Sequence, residues 1–420
     1  MGQTKLEECL INWKNNGGDL KEQLYSLEEN EYTVISEREA EFIISLIDEI
    51  DLKKDTFVSE NIYAIATLFP QVQTKEVYQF LHDNGIIKLI ELYDKIKSDE
   101  DIDKTTMLFL LKIFAMYESD DGAERVIDAV KSNVESDSYM WSMIFNQYRE
   151  GHMYAKKILE ELKDIIPDKF AGIAFLDFVN AIAINQGIEE HPFNSSKGYI
   201  KLKGWLSSDN EEEYSYAHSS AAALPFIDEP NRTELLNIAI KHKSMDVKME
   251  AAWAMVKSGK NEGLDFLIEV SKDVRYSTQA IAYIKELGYE NKLFEIEVEE
   301  DFYEKAEMCN WLSHPNEFGF PPDEIEVYDK RRIFWPPTND ERDLFLFKYK
   351  YEYSNDSGIG MVGGSSTFAL FGENFTYLTP EEVYGLHCCW ELEMNGDTRA
   401  PLERNSENGI KILKEYNKEF

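Results

Sequence analysis

Cysteine is scarce in this chain of 420 residues: Cys9, Cys309, Cys388 and Cys389 are the whole set. The last two are adjacent, which suits a loop disulfide poorly, so the four read as reduced, mostly buried thiols. A reducing compartment follows, and a cytoplasmic location is expected. No CxxC or HxxxH pair occurs to start a zinc site, and no Gly-Lys-Ser/Thr occurs to build a Walker A loop. No metal and no cofactor is therefore expected. No run of 18 apolar residues occurs, so no membrane span is predicted. The opening Met1-Gly2-Gln3-Thr4-Lys5-Leu6 has no apolar core, so no secretory leader is expected. Leu6 stands where the myristoylation pattern wants Ser or Thr.

Basic residues are also short: 44 Lys and Arg face 80 Asp and Glu, a net charge of −36. Residues 301–420 hold 23 acids and 12 bases, a net of −11, which leaves −25 on the preceding 300. The charge is spread along the chain rather than gathered in a tail. Such a surface repels phosphate backbones and anionic lipid, so neither nucleic acid nor membrane is expected as a partner. A basic protein partner fits the sign, and solubility alone explains it equally well. The 43% hydrophobic and 13% aromatic content excludes disorder.

Residues 1–300 read as helix after helix joined by short polar connectors. In Thr105–Tyr117, Met107, Leu108, Leu111, Phe114 and Ala115 form one apolar stripe. Only 5 of the 12 prolines fall here, which suits a bundle or solenoid of short helices. Between 217 and 290 a repeat emerges. Asp246-Val247 and Asp273-Val274 are 27 residues apart, and Ala222, Ala252 and Ala280 recur at 30 and 28. Small residues let stacked helices approach, and each Asp is placed to cap a helix N-terminus. This stretch resembles the short HEAT repeats of many bacterial proteins. The resemblance implies a curved solenoid that binds other proteins.

Near residue 300 the composition shifts: 7 prolines and 9 of 22 glycines lie in 301–420. His314–Asn316, Phe318–Asp323 and Phe334–Asp340 read as structured aromatic loops. Phe345, Phe347, Tyr349, Tyr351 and Tyr353 alternate with mostly polar residues, which predicts a strand over 344–353. Ser366–Phe371 is its expected antiparallel partner. Thr379-Pro380-Glu381-Glu382 predicts a capped helix start. The block Trp311–Glu393 resembles a C-terminal segment of uncharacterised bacterial HEAT-repeat proteins. It does so through Trp311–Gly319, Trp335–Asp340, Gly360–Gly363 and Leu386–Leu392. The fold class expected is mostly α: a HEAT-like helical repeat over 1–300, then a small α+β module over 301–420.

Several constellations bear on chemistry. Gly358–Gly363 fits GxGxxG, but a strand rather than a helix follows it, so it reads as a hairpin connection. His387, Cys388 and Cys389 point about 100° apart on a helix and do not converge on an ion. Acidic clusters at 323–326 and 340–343 read as solvated loops. The basic run Asp329–Arg332 reads as internal salt bridges, with anion binding as the alternative. The binding residues singled out are Trp335, Phe334, Phe320, Arg331, Arg332 and His387. The leading reading is a non-enzymatic scaffold that binds a protein partner. Two alternatives stay open: an enzyme with its site in the C-terminal module, and an acidic antagonist of a basic protein.

Overall fold

The computed structural model describes residues 4–28, 31–149, 151–295, 298–418 and 420. The chain is mostly α-helical, with a small antiparallel sheet and further helices near its C-terminus. It divides into two compact units, Met1–Lys241 and His242–Phe420.

The first unit is built from α1 (Lys5–Asn16), α2 (Leu20–Tyr25), α3 (Glu37–Glu49), α4 (Val58–Thr67), α5 (Lys75–Ser98), α6 (Thr105–Met116) and α7 (Asp120–Lys131). It continues with α8 (Met140–Phe145), α9 (Ala155–Leu162), α10 (Lys169–Asn185), α11 (Ser196–Leu206), α12 (Tyr214–Ala222) and α13 (Asn231–Ala239). Local chemistry sets many of the starts. The side chains of Thr4, Asp19, Ser36, Thr74, Ser119 and Ser195 each accept a free backbone N–H of the first turn.

The helices stack in two rows. The even helices α2, α4, α6, α8, α10 and α12 pack each on the next even one. In the other row α1 packs on α3, α3 on α5, α7 on α9 and α11 on α13. Side chains about one helix pair apart therefore meet repeatedly. Lys97 reaches Asp128, Arg125 reaches Asp94 at 2.8 Å, Lys131 reaches Glu161 at 3.1 Å and Lys203 reaches Glu234 at 2.7 Å. Each pair is 30 or 31 residues apart in sequence. Exposed pairs of this kind contribute little energy singly, but they mark the spacing of the array.

Histidines strap its turns. Nδ1 of His152 and of His191 accepts the backbone N–H two residues on. Each Nε2–H then donates across the array, His152 to the Ala115 carbonyl at 2.9 Å and His191 to Asn180 at 3.1 Å. The His191 ring must be neutral for this. Burial pushes the His191 imidazole down to about 3. The unfolded chain binds that proton from about pH 6.5 downward, whereas the fold does not. Stability is therefore full above that value and falls as the pH drops towards 3. The expected loss between pH 7.5 and 5 is about 2 kcal/mol from this residue. Urea melts at both pH values test it: His191→Gln must lose about that much less than the parent. Equal losses in the two proteins would refute the buried neutral ring.

In the second unit come α14 (Met245–Lys257), α15 (Glu262–Val270), α16 (Ser277–Glu286) and α17 (Phe302–Leu312), then β1 (Glu324–Trp335), β2 (Asp340–Lys350), β3 (Ser357–Val362) and β4 (Phe368–Phe371), and finally α18 (Pro380–Met394) and α19 (Ser406–Tyr416). Residues 217–290 hold no strand. Ala252 and Ala280 are fully buried, but Ala222 is only half-buried and its neighbour Ala221 takes the buried position. Asp246 lies in the first turn of α14, behind the Ser244 cap, and Asp273 anchors the preceding turn by accepting the Arg275 N–H. Neither caps a helix as expected.

The sheet is an antiparallel meander, β1-β2-β3-β4, covered on both faces. On one side α17 lays Met308 and Leu312 against Phe345, Phe347, Tyr349 and Tyr351. On the other, α18 and α19 bring Val383, Cys388, Leu392 and Leu413 against Leu344, Leu346, Ile359 and Met361. The face of β2 expected to be mostly polar is thus apolar over half its length. Thr379 and Glu382 form the expected capping box of α18.

Three sequence expectations are corrected here. Phe334 and Trp335, expected in a loop, end a 12-residue edge strand, and the acidic clusters expected in loops lie mostly on strands, Glu324 and Glu326 on β1 and Asp340, Glu341 and Asp343 on β2. The outward positions of β1 are charged, which hides the alternation. Gly358–Val362 is strand rather than a connection, and Phe368–Phe371 pairs with it, not with β2. Glycine is required at Gly358, where a Cβ would overlap the Leu370 backbone carbonyl and sit 2.6 Å from Tyr349 Cζ, while at Gly360 it makes room for the Met308 side chain, whose Cε would lie 2.6 Å from a Cβ. Large side chains crowd the strand there, so the glycines serve packing.

Candidate binding surface

The residues singled out from sequence scatter over the C-terminal module. Trp335 is fully buried and donates its indole N–H to Glu391 Oε2 at 2.7 Å. His387 is fully buried between the rings of Trp335, Phe368 and Trp390. Its Nε2 lies 2.7 Å from Glu391 Oε1, although the pair is not aligned as a hydrogen bond. Ser365 N–H donates to the same oxygen at 3.0 Å. Burial pushes the Glu391 carboxyl up, but His387 and the Trp335 and Ser365 donors outweigh it and hold the group below its ordinary value. A cleft of about 480 Å³ lies beside this cluster, bordered by Glu304, Arg342, Gly364 and Ser365. His387 does not line it.

Phe334 stacks on Tyr416 at 5.2 Å, and Asn417 grips its backbone N–H and C=O. Arg331 is held between Asp329 and Glu381 and lies over the rings of Tyr384 and Phe420. Phe320, 47% exposed, edges onto Tyr351, and Phe318 stacks on the same ring at 4.2 Å. The aromatic loop thus covers the end of the aromatic strand face. Arg332 projects to solvent beside Asp343. Burial pushes the Cys309 thiol up to about 12 and raises Cys388 and Cys389 too, so these three are thiols near neutral pH. Among the described residues no three His, Cys, Asp or Glu groups are placed to hold a metal ion.

The surface that sequence reading missed lies in the first unit, on the outward side of the even row. On α4 the half-buried positions are Val58, Ser59, Tyr63 and Thr67, with Glu60 exposed; on α6 they are Thr105, Phe109 and Lys112, followed by exposed Met116. Counted from Ser59 and from Thr105, each set recurs at three- or four-residue spacing, one stripe per helix. The stripes touch. Tyr63 meets Phe109 edge-on at 6.4 Å, Lys112 lies over the Tyr63 ring at 4.6 Å, and the Tyr63 hydroxyl faces Met116 Sδ at 3.8 Å. Met143 on α8 and Ile184 on α10 are exposed, and Phe170 of α10 meets Tyr216 of α12 at 6.1 Å. Asp177 is the carboxylate of the α10 stripe. Burial raises it, against the pull of Ser219, His218 and Arg149.

The outward side of the other row is different: Glu41, Ser45 and Asp48 on α3, and Glu124 and Asp128 with their lysine partners on α7 and its neighbours. The even row carries Tyr, Phe and Met between fewer charges, among them Glu60, Lys112 and Asp177. Aromatic residues and methionine are enriched where proteins meet. The absence of Asp and Glu at 59, 63, 67, 105, 109, 112 and 116 was legible in sequence, but only once the rows are known.

Fold and surface together define a mostly helical protein with two stacked helix rows and a C-terminal α+β module. No family model matches the chain, and no curated protein or solved structure matches it. Among the described residues no helix is long and apolar enough to cross a membrane.

Proposed function

We propose that this chain is a non-enzymatic, cytoplasmic scaffold of the HEAT-like solenoid type, which holds a protein partner on the aromatic face of its even helix row. The observation that carries the reading is the unequal charge of the two rows: ion pairs along one, Tyr63, Phe109, Met116 and Met143 along the other. Rigid helices displaying aromatic and Met side chains bind with little ordering cost. The His387 cluster is sealed in the module core and serves packing in this reading.

The test is a photo-crosslinking amino acid placed singly in the full chain, in its native cell. At Phe109 or Met143 it is expected to yield a discrete protein adduct; at Glu41 or Asp48 on the other row it is expected to yield none. Adducts from Glu41 and Asp48 alone would overturn the assignment of the face. No adduct at any of the four, in a folded chain, would overturn the scaffold reading.

A further inference from the structure

We infer that the occupant of this face is a cationic amphipathic helix, a partner segment with one apolar stripe flanked by Lys or Arg. The inference rests on the scaffold reading above and adds the chemistry of the ligand. The first observation is the setting of the face. The loops leading into the even helices α4, α6, α8, α10 and α12 span 50–57, 99–104, 132–139, 163–168 and 207–213, with fourteen acids and four lysines. The described residues of the loops leading out of the even helices, within 26–36, 68–74, 117–119, 146–154, 186–195 and 223–230, hold seven acids and one arginine, with no acid in 68–74.

Successive loops meet along each edge. Lys53 of the first group reaches Asp99 of the next at 3.0 Å, and Glu118 of the second group accepts the Met153 N–H at 3.3 Å. Two acidic rims therefore frame a stripe made mostly of Tyr, Phe, Met, Ile, Ser and Thr, with Lys112 and Asp177 as its charged members. A ligand that fills this frame must be apolar in the middle and positive at both margins. Lys53, Lys54, Lys169 and Lys201 answer some of these acids, a cationic segment would answer the remainder, and anionic lipid or nucleic acid would be repelled by both rims.

The second observation selects a helix. Beyond the single Val34–Val72 bridge, the described residues of this unit offer no strand edge for an extended segment to join. Parallel helices side by side present grooves between their side-chain ridges, and a helix fits such grooves at about 8–10 Å between axes. Anchors spaced i, i+3, i+4 and i+7 on the ligand would then meet Tyr63, Phe109 and Met116 across α4 and α6.

The probes are two synthetic 18-residue helices, one of Leu and Lys in amphipathic order and one with Glu in place of Lys. Binding to the full chain is read by fluorescence anisotropy. The Leu/Lys helix is expected to bind at least about 100-fold tighter than the Leu/Glu helix. The double variant Phe109→Ser, Met116→Ser is expected to weaken it about 10-fold, whereas Glu41→Ser, Asp48→Ser leaves it within about 2-fold. Two results each overturn the inference: equal affinity for the two helices, or no loss in the Phe109/Met116 variant. Binding of phosphatidylserine vesicles through the same residues would overturn it as well. A crosslinked partner at Phe109 with no Leu/Lys binding would leave the scaffold standing and remove the cationic helix; failure of both removes both.

Discussion

Gly409→Ala is expected to cost the second unit at least about 3 kcal/mol, the upper part of the range for overpacking. The reason is a crossing of backbones. A Cβ on Gly409 would overlap the Gly385 carbonyl and sit 2.6 Å from its Cα. No side chain can swing aside, because the obstacle is the main chain of α18. Relief requires α19 to lift away from α18, which uncovers Leu413 and loosens the core shared with Val383 and Leu392. In a unit of this size each kcal/mol lowers the melting temperature by about 2–4 °C. A fall of roughly 6–12 °C is therefore expected for the second unit's transition. Gly204→Ala is the control. Its Cβ meets nothing within 4 Å on α11, so a neutral or slightly stabilising change is expected. A Gly409→Ala protein that melts with the parent would show that α18 and α19 do not cross at these glycines.

Glu391→Ala comes second, with an expected loss of about 3–5 kcal/mol. Truncation strips the buried partner from His387 and leaves the Trp335 indole N–H and the Ser365 N–H unanswered. Glu391→Gln keeps an acceptor and fills the same volume, so it should fall between parent and alanine. Acid adds a second signature. The fold holds this carboxyl below its ordinary value, so its contribution is present above the usual carboxylate range and disappears as the pH falls through the lowered value. Denaturant melts from neutral to acid pH should show a smaller acid-side loss in Glu391→Ala than in the parent, the His191 contribution being common to both. Should the alanine variant be as stable as the glutamine one, the cluster would not be the keystone of the module core.

Some of this architecture was plain in the residues and some was not. The helix starting at Pro380 was legible because Thr379 and Glu382 cap it by purely local hydrogen bonds. The strand Phe345–Tyr351 was legible because one face repeats aromatics at every second position. What failed depended on neighbours. Gly358 and Gly360 look like a turn until Tyr349 and Met308 are seen to occupy the space a Cβ would need. The repeat was traced through alanines at 222, 252 and 280, one position away from the buried Ala221 in the first case. Helical phase read from small residues slips easily by one, because adjacent alanines look alike. The two rows were hidden from residue patterns before 160, since their period is carried by which lysine reaches which acid.

The aromatic face was missed for a related reason. Its members come from successive even helices far apart in sequence, and each contributes only one to four side chains. No window of sequence contains the patch. The residues chosen instead, Trp335 and His387, were conspicuous chemically and are interior.

The row architecture has one more consequence. An even helix leans on the even helix before it and the one after it, so cohesion travels from neighbour to neighbour instead of through a shared centre. Such a chain can lengthen by duplicating one helix pair without rebuilding the rest. Damage at one end need not reach the other: the terminal pair can fray while the middle of the file holds its rank.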